Sequence, residues 1–285
     1  MNEMRQQRVQ CLSPAGLHQM AYVEWGDPAN PRVLVCVHGL TRCGRDFDFL
    51  AAALADHYRV VCPDVVGRGR SDWLRDKRHY VIPQYCADMV TLLARINAET
   101  LHWFGTSMGG LIGMALAAQA DTPISRLILN DVGPELSAAA VARIGEYVGA
   151  ELSFANLDEA EKFVRAVSVP FGALTDAQWR HLTVHSVRQR ADGGYELARD
   201  PGIAEPFKVA MANAQDIDLW PVYDAIRCPT LVVRGMESDL LSAQTAGAMT
   251  QRGPRAQLAE VPAVGHAPMM LDAAQIAIVR AFLLG

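Results

Sequence analysis

The feature that most constrains the fold is a series of short, almost uninterrupted apolar runs. They are "RVLVCVHG" (32–39), "YRVVCPD" (58–64), "TLHWFG" (100–105), "SRLILND" (125–131), "CPTLVVRG" (228–235) and "AQLAEVP" (256–262). A run that lacks polar alternation is buried on both faces, as in a parallel sheet covered by helices. Helical patterns stand between several of them: "DFDFLAAALAD", "PQYCADMVTLLARIN", "GGLIGMALAAQ" and finally "DAAQIAIVRAFLL". This alternation predicts a doubly wound α/β sheet with right-handed crossovers. Ahead of it, residues 9 to 26 alternate around a Pro-Ala-Gly turn, which predicts an antiparallel hairpin.

One interval breaks the rhythm. Between "ILNDVGP" and "CPTLVV" about 90 residues pass without a convincing buried strand, whereas a crossover needs roughly a dozen. The content is amphipathic and helical: "AAAVARIGEYVGAEL", then "NLDEAEKFVRAVSV" with Asn156 or Asp158 as N-cap, then "LTDAQWRHLTVHSVRQR" starting at Thr175, with "ADGGYEL" as a turn. The expectation is a core formed by residues 1–133 and 223–285 and a helical cap over 134–222. Such a cap would sit above the carboxyl ends of the strands, where open α/β sheets bind ligands.

Composition narrows the class of function. With 285 residues, 51% of them hydrophobic and a net charge of -5, the chain suits a large globular core. It has no dense basic block, so neither nucleic acid nor an anionic membrane is an expected partner. The six cysteines are scattered without a C-x-x-C pair and several fall in buried strands, which predicts free core thiols and a reducing compartment. The first residues, "MNEMRQQRVQ", carry no signal-peptide core, and no run approaches the roughly 20 apolar residues of a membrane span. The expectation is a cytoplasmic protein acting on a small molecule, its oligomeric state left open.

The chemistry centres on "GTSMGG" (105–110), a G-x-S-x-G match where the strand "LHWF" becomes a helix. A serine on so sharp a turn needs small neighbours and presents its hydroxyl above the sheet, while free N–H groups and the positive helix end face the same region. The competing reading of Ser107 is a plain helix cap. As a nucleophile it requires a base and an orienting acid, in the chain order serine, acid, histidine.

Among the histidines after Ser107, His266 lies in the loop "VPAVGHAP" between the last apolar run and the final helix. It is the expected base. His181 and His185 stand four apart on a helix, a spacing able to hold a metal, but no third ligand is evident and no metal is expected. For the acid, Asp239 in "LVVRGMESDLLS" is favoured over Asp131 in "LILNDVGP", which would then be a turn-former, and over Glu237. The oxyanion formed on attack needs two fixed donors; Met108 N–H and Leu40 N–H are assigned. His38 reads as a buried, hydrogen-bonded histidine.

Arg42 is a candidate for binding a substrate carboxylate, set against a salt bridge to Asp46 or Asp48 with Arg45 beside it. Trp73, Phe171 and Trp179 are candidates for an apolar pocket, set against general packing.

In order along the chain, "VCVHGLTR", "CPDVVGRGRSD", "FGTSMGG", "LILNDVGPE", "PTLVVRGMESDLLS" and "VPAVGHAP" together resemble the α/β-hydrolase superfamily. The resemblance implies a mostly parallel sheet of about eight strands with an inserted cap, and a Ser-His-Asp esterase mechanism needing no cofactor. Gly67 and Gly69 then belong to a structural turn, since they form neither G-x-G-x-x-G nor a Walker motif. Serine at the nucleophile position argues against epoxide hydrolases and haloalkane dehalogenases. A small carboxylic ester is the expected substrate; the alternatives are hydroxyalkanoate oligomers, a C–C bond, or a receptor that binds without turnover.

Overall fold

The computed structural model describes residues 4–208 and 215–285. The main sheet takes β1 (Arg5–Ser13), β2 (Gly16–Trp25), β3 (Arg32–Val37), β4 (Arg59–Pro63), β5 (Thr100–Thr106) and β6 (Ile124–Asn130) from the first half of the chain. The helices between them are α1 (Asp48–Leu54), α2 (Ile82–Ile96) and α3 (Met108–Ala117).

The inserted segment then contributes β7 (Glu135–Leu136), α4 (Ala138–Val148), β8 (Ser153–Phe154), α5 (Leu157–Val167), α6 (Asp176–Ser186), β9 (Val187–Gln189), β10 (Tyr195–Leu197), β11 (Ile217–Asp218) and α7 (Trp220–Ala225). The chain closes with β12 (Thr230–Gly235), α8 (Ala243–Met249), β13 (Gln257–Val261) and α9 (Ala273–Leu284).

Eight strands lie in the order β1-β2-β4-β3-β5-β6-β12-β13. The first hairpin is antiparallel and joins β4 antiparallel; from β4 onward every pairing is parallel. The mixed, mostly parallel sheet follows from the apolar runs. Along β3, Val33, Val35 and Val37 pack on one face with Met89 and Leu92 of α2 and Ile112 of α3, while Leu34 and Cys36 face Leu50 and Leu54 of α1 and Phe282 of α9. Side chains alternate across a strand, so burial of both sets requires a helix layer on each side.

The inserted segment is less purely helical than its periodicity predicts. The helix begun at Thr175 has a full capping box with Gln178 but ends at Ser186. Val187 turns extended, and β9 pairs with β10 across the "ADGG" turn, where Gly193 takes φ +87°. With β8 these form a three-stranded antiparallel sheet. Asn156 caps α5 by accepting from the N–H groups of Asp158 and Glu159. At the base of the insertion β7 pairs with β11, which brings its entry and exit side by side.

All six cysteines are free. Among the described residues no helix is long and apolar enough to cross a membrane.

The centre of the sheet is packed too closely for any side chain at two positions. A Cβ on Gly105 would meet the Gly109 carbonyl oxygen at 2.2 Å, and a Cβ on Gly109 would meet that of Val37 at 2.0 Å. These contacts press α3 against β3 and β5. Gly109→Ala is expected to cost about 1–3 kcal/mol as strained overpacking. An unchanged midpoint in urea unfolding would contradict it.

Candidate active site

Ser107 stands between β5 and α3 with φ 52° and ψ -115°, a left-handed conformation that an L-residue adopts only under constraint. The turn is held by the Ser107 N–H, which donates to the Asn130 carbonyl (3.0 Å), and by the Gly110 and Leu111 N–H groups, which donate to the Ser107 carbonyl. Ser107 occupies the N-cap position of α3 but makes no side-chain capping bond. Its Oγ instead lies 3.0 Å from His266 Nε2.

His266 Nδ1 lies 2.8 Å from Asp131 Oδ2. A carboxylate only accepts, so this contact places the ring proton on Nδ1 and leaves the Nε2 lone pair for the serine hydroxyl. The three groups form a proton-relay line of the kind that activates a serine.

The expected acid is thereby corrected. Asp239 is 57% exposed and pairs with Arg143 at 2.6 Å, away from the imidazole, and Glu237 is also exposed. Asp131, read as a turn-former, is fully buried at the tip of β6. Its Oδ1 accepts from Gly235 N–H at 2.9 Å and its Oδ2 from the Ser238 hydroxyl at 2.6 Å. Topology explains the exchange. β6 lies between β5 and β12, and the histidine loop is tied across it by Asn130 Nδ2, which donates to the Pro268 carbonyl at 2.8 Å. His266 therefore meets the acid at the end of β6 and not one in the loop after β12.

Leu40 and Met108, the expected oxyanion donors, flank the serine. Met108 is the first residue of α3, so its N–H has no partner inside the helix. Leu40 and Ser107 line one cavity. A residue not singled out in the sequence holds both Leu40 and Met108: Arg68, fully buried, donates from Nε to the Leu40 carbonyl (2.8 Å) and from Nη2 to Met108 Sδ (3.7 Å). Further bonds to the Val66 carbonyl and Tyr85 hydroxyl fix it. "GRGR" offered no signal for this, because nothing local links residue 68 to residue 40.

The cavity above Ser107 has a volume of about 440 Å³, within the range of small-molecule sites. Its floor includes Gly39, Thr106 and His266; its apolar walls come from the inserted segment, among them Ile144, Phe163, Val167 and Phe171. Phe171 thus takes the pocket role considered for it, whereas Trp179 packs with Val164, Leu182 and Met269. Trp73 is not on the cavity wall. Its ring lies beneath Arg188, 4.3 Å from the guanidinium carbon, so the substrate contact expected of it is replaced by a cation–π stack.

Arg42 reaches the cavity but is committed: Nε and Nη2 donate to the two Asp46 oxygens at 2.8 and 2.6 Å, and Nη1 to Ser186 Oγ at 2.7 Å. The carboxylate-binding role considered for it gives way to the alternative, a bidentate salt bridge to Asp46, and the bond to Ser186 ties the loop after β3 to the end of α6. His181 and His185 do have a third ligand-type neighbour, Asp48, all three within 4.8 Å. Arg45 Nε nevertheless contacts both Asp48 oxygens, at 2.9 and 2.7 Å, and its charge opposes a cation there.

His38 is buried, with Nδ1 donating to the Gly39 carbonyl (2.7 Å) and Nε2 accepting from Val65 N–H (2.9 Å). Burial is the main reason its pKa falls to about 4, helped by the nearby Arg68 and Arg42 charges. The neutral ring braces the loop that carries Leu40.

The family described as alpha/beta hydrolase fold matches residues 32–273. Over 283 residues the chain is 54% identical to a 3-hydroxybutyrate-oligomer hydrolase of Cupriavidus necator, with 97% of each chain covered. An alpha/beta hydrolase structure from Novosphingobium aromaticivorans superposes with a TM-score of 0.87 at 36% identity, covering 100% of this chain and 99% of the other. The structure of an E-2-(acetamidomethylene)succinate hydrolase superposes with a TM-score of 0.85 at 19% identity, over 99% and 100% of the two chains, and shares the fold.

Two outcomes follow from the geometry. Asp131→Asn should lower kcat on p-nitrophenyl butyrate by about 10²–10⁴-fold through loss of the correct imidazole tautomer, while Asp239→Asn stays within about threefold; the reverse ranking would return the acid to residue 239. A folded-state pKa below the unfolded value means that His38 favours folding fully above pH ~6.5 and loses that contribution as pH falls towards the folded value. The melting temperature should therefore drop between pH 7 and pH 5 by several degrees, and by less in His38→Asn. An identical drop in the two proteins would remove His38 as the cause.

Proposed function

The chain belongs to the alpha/beta hydrolase fold family and is a hydrolase acting on ester bonds, and we propose that its substrates are short oligomers of hydroxyalkanoic acids. The chemistry rests on one observation, the line from Ser107 Oγ through His266 to buried Asp131 at the floor of the cavity. The substrate class is supported by the extended similarity to the Cupriavidus necator 3-hydroxybutyrate-oligomer hydrolase, which runs through the inserted segment as well as the core. This reading replaces a small carboxylic ester of unspecified kind with the oligomeric alternative.

His266 Nε2 takes the Ser107 proton as Oγ attacks the ester carbonyl, and Asp131 holds the imidazolium that results. The oxyanion forms beside Leu40 N–H and Met108 N–H, whose residues Arg68 clamps. The same imidazolium then returns the proton to the leaving oxygen, which in an oligomer is the 3-hydroxyl of the departing chain. Water, deprotonated by His266, hydrolyses the acyl-serine and releases the second hydroxy acid. The lining suits such a chain, because Ile144, Phe163 and Val167 offer apolar surface to its methyl-bearing acyl units.

The decisive measurement compares 3-hydroxybutyrate dimer and trimer with simple p-nitrophenyl esters and with a vinylogous diketone, following products by mass. Cleavage of the oligomers to monomer, with kcat reduced about 10³-fold or more in Ser107→Ala, is the expected result. Turnover of the diketone alone would replace ester cleavage of oligomers with C–C cleavage. Absence of Ser107 labelling by a fluorophosphonate would leave binding without turnover.

A further inference from the structure

Two arginines, Arg42 and Arg199, line the cavity, and a third, Arg68, contacts the loop behind it. Asp46 neutralises Arg42 through two hydrogen bonds. Arg68 lies behind the loop after β3, its donors spent on carbonyls, a hydroxyl and a thioether. Arg199 differs from both: it lines the cavity, and its Nη2 donates to the Tyr147 carbonyl at 3.3 Å. Among the described residues its buried Nε has no acceptor, and no carboxylate forms a salt bridge with it.

Burial is the main cause of a fall in its pKa to about 10, with Arg42 and Arg68 adding to the effect. The guanidinium remains charged at neutral pH, in surroundings that disfavour the charge. The side chain is half-buried, its charge has no carboxylate to balance it, and an anion held in the cavity would supply that balance.

The residue is also held in place. Arg199 and Arg68 face each other across an antiparallel bridge. On either side, Gly69 N–H donates to the Ala198 carbonyl (2.8 Å) and Asp200 N–H to the Gly67 carbonyl (2.8 Å). Asp200 is bound further by Lys77 and, at 2.6 Å, by the Tyr80 hydroxyl. Residues 198–200 of the inserted segment are thus stitched to the turn after β4, and the guanidinium enters the pocket from a fixed backbone. Little ordering is left to be done when a ligand arrives.

We propose that Arg199 is the carboxylate-binding residue of the pocket: the Nη groups of its guanidinium bind the free acid end of a substrate whose ester bond lies at Ser107. The enzyme then selects esters that end in a carboxylate, and an oligomer enters with its acid terminus beneath the inserted segment. For the identity of that acid, a hydroxyalkanoate chain end, the inference rests on the preceding reading. The preference for a carboxylate can be measured apart from it.

The test uses two matched pairs on the full-length enzyme: mono-p-nitrophenyl glutarate against its methyl-blocked counterpart, and the 3-hydroxybutyrate dimer against its methyl ester. For each pair the quantity read is the ratio of kcat/KM for the acid to that for the neutral ester. In Arg199→Gln the ratio should fall about 10- to 100-fold, the range of a hydrogen bond to a charged group, mainly through KM of the acid.

Arg199→Lys, which keeps the charge but not the fork, should lose an intermediate amount, and it decides the matter if circular dichroism finds the glutamine variant unfolded. A wild-type enzyme with no preference for the aryl acid, or ratios unchanged in the variants, would overturn the assignment. Cleavage of the aryl acid with no cleavage of the dimer overturns only the oligomer substrate; Arg199 is then judged on the aryl pair.

Discussion

The active site depends on the tip of one strand. At the end of β6 the Asn130 carbonyl accepts from Ser107 N–H, and the Asn130 side chain donates to Thr106 Oγ1 and the Pro268 carbonyl. The next residue, Asp131, donates its own N–H to the Val233 carbonyl and accepts from Gly235 N–H, the Ser238 hydroxyl and His266. Two adjacent residues thus fix the nucleophile turn, the histidine loop and the loop after β12. The Asn130–Pro268 and Asp131–Gly235 bonds are buried, so they are stronger than at the surface and costly to leave unmade. A parallel sheet makes this possible, because β5, β6 and β12 all end on the same side.

Charge is distributed across the same end of the sheet. At the triad the negative charge is that of Asp131, which faces the imidazole and stabilises it when it carries a proton. Positive charge lies on Arg68 behind the loop of Leu40 and on Arg199 in the cavity wall, while that of Arg42 is balanced by Asp46. An ester ending in an acid, which gains a second negative charge on its carbonyl oxygen during attack, matches that arrangement. The inserted segment contributes twice to this site. Its helices supply apolar wall, and residues 198–200 carry a cation to the pocket.

The layers of the fold were legible because they are written in local periodicity. Continuous apolar runs can be buried only in a sheet covered on both faces, and all six became parallel strands. Inside the insertion the same logic found α4, α5 and α6 but missed β8, β9 and β10, strands of two or three residues that are too short for a period to register. The end of α6 at Ser186 was hidden for a similar reason. Helix-compatible residues continue through Arg190, and pairing with β10 overrides them.

Ser107 and His266 were also readable in the chain, since a nucleophile turn needs small residues on either side and the base needs a loop at the strand ends. The acid was not. Asp131 and Asp239 both follow strands that end beside the histidine, and the choice between them depends on which strand tip the histidine loop crosses, a matter of sheet order and of one asparagine side chain. For the arginines the sequence is equally silent: Arg42, Arg68 and Arg199 are alike in charge, and their different duties arise from the acceptors that folding places around each. Residue type and spacing set what chemistry is available; long-range contacts, which have no imprint on neighbouring residues, set which groups carry it out.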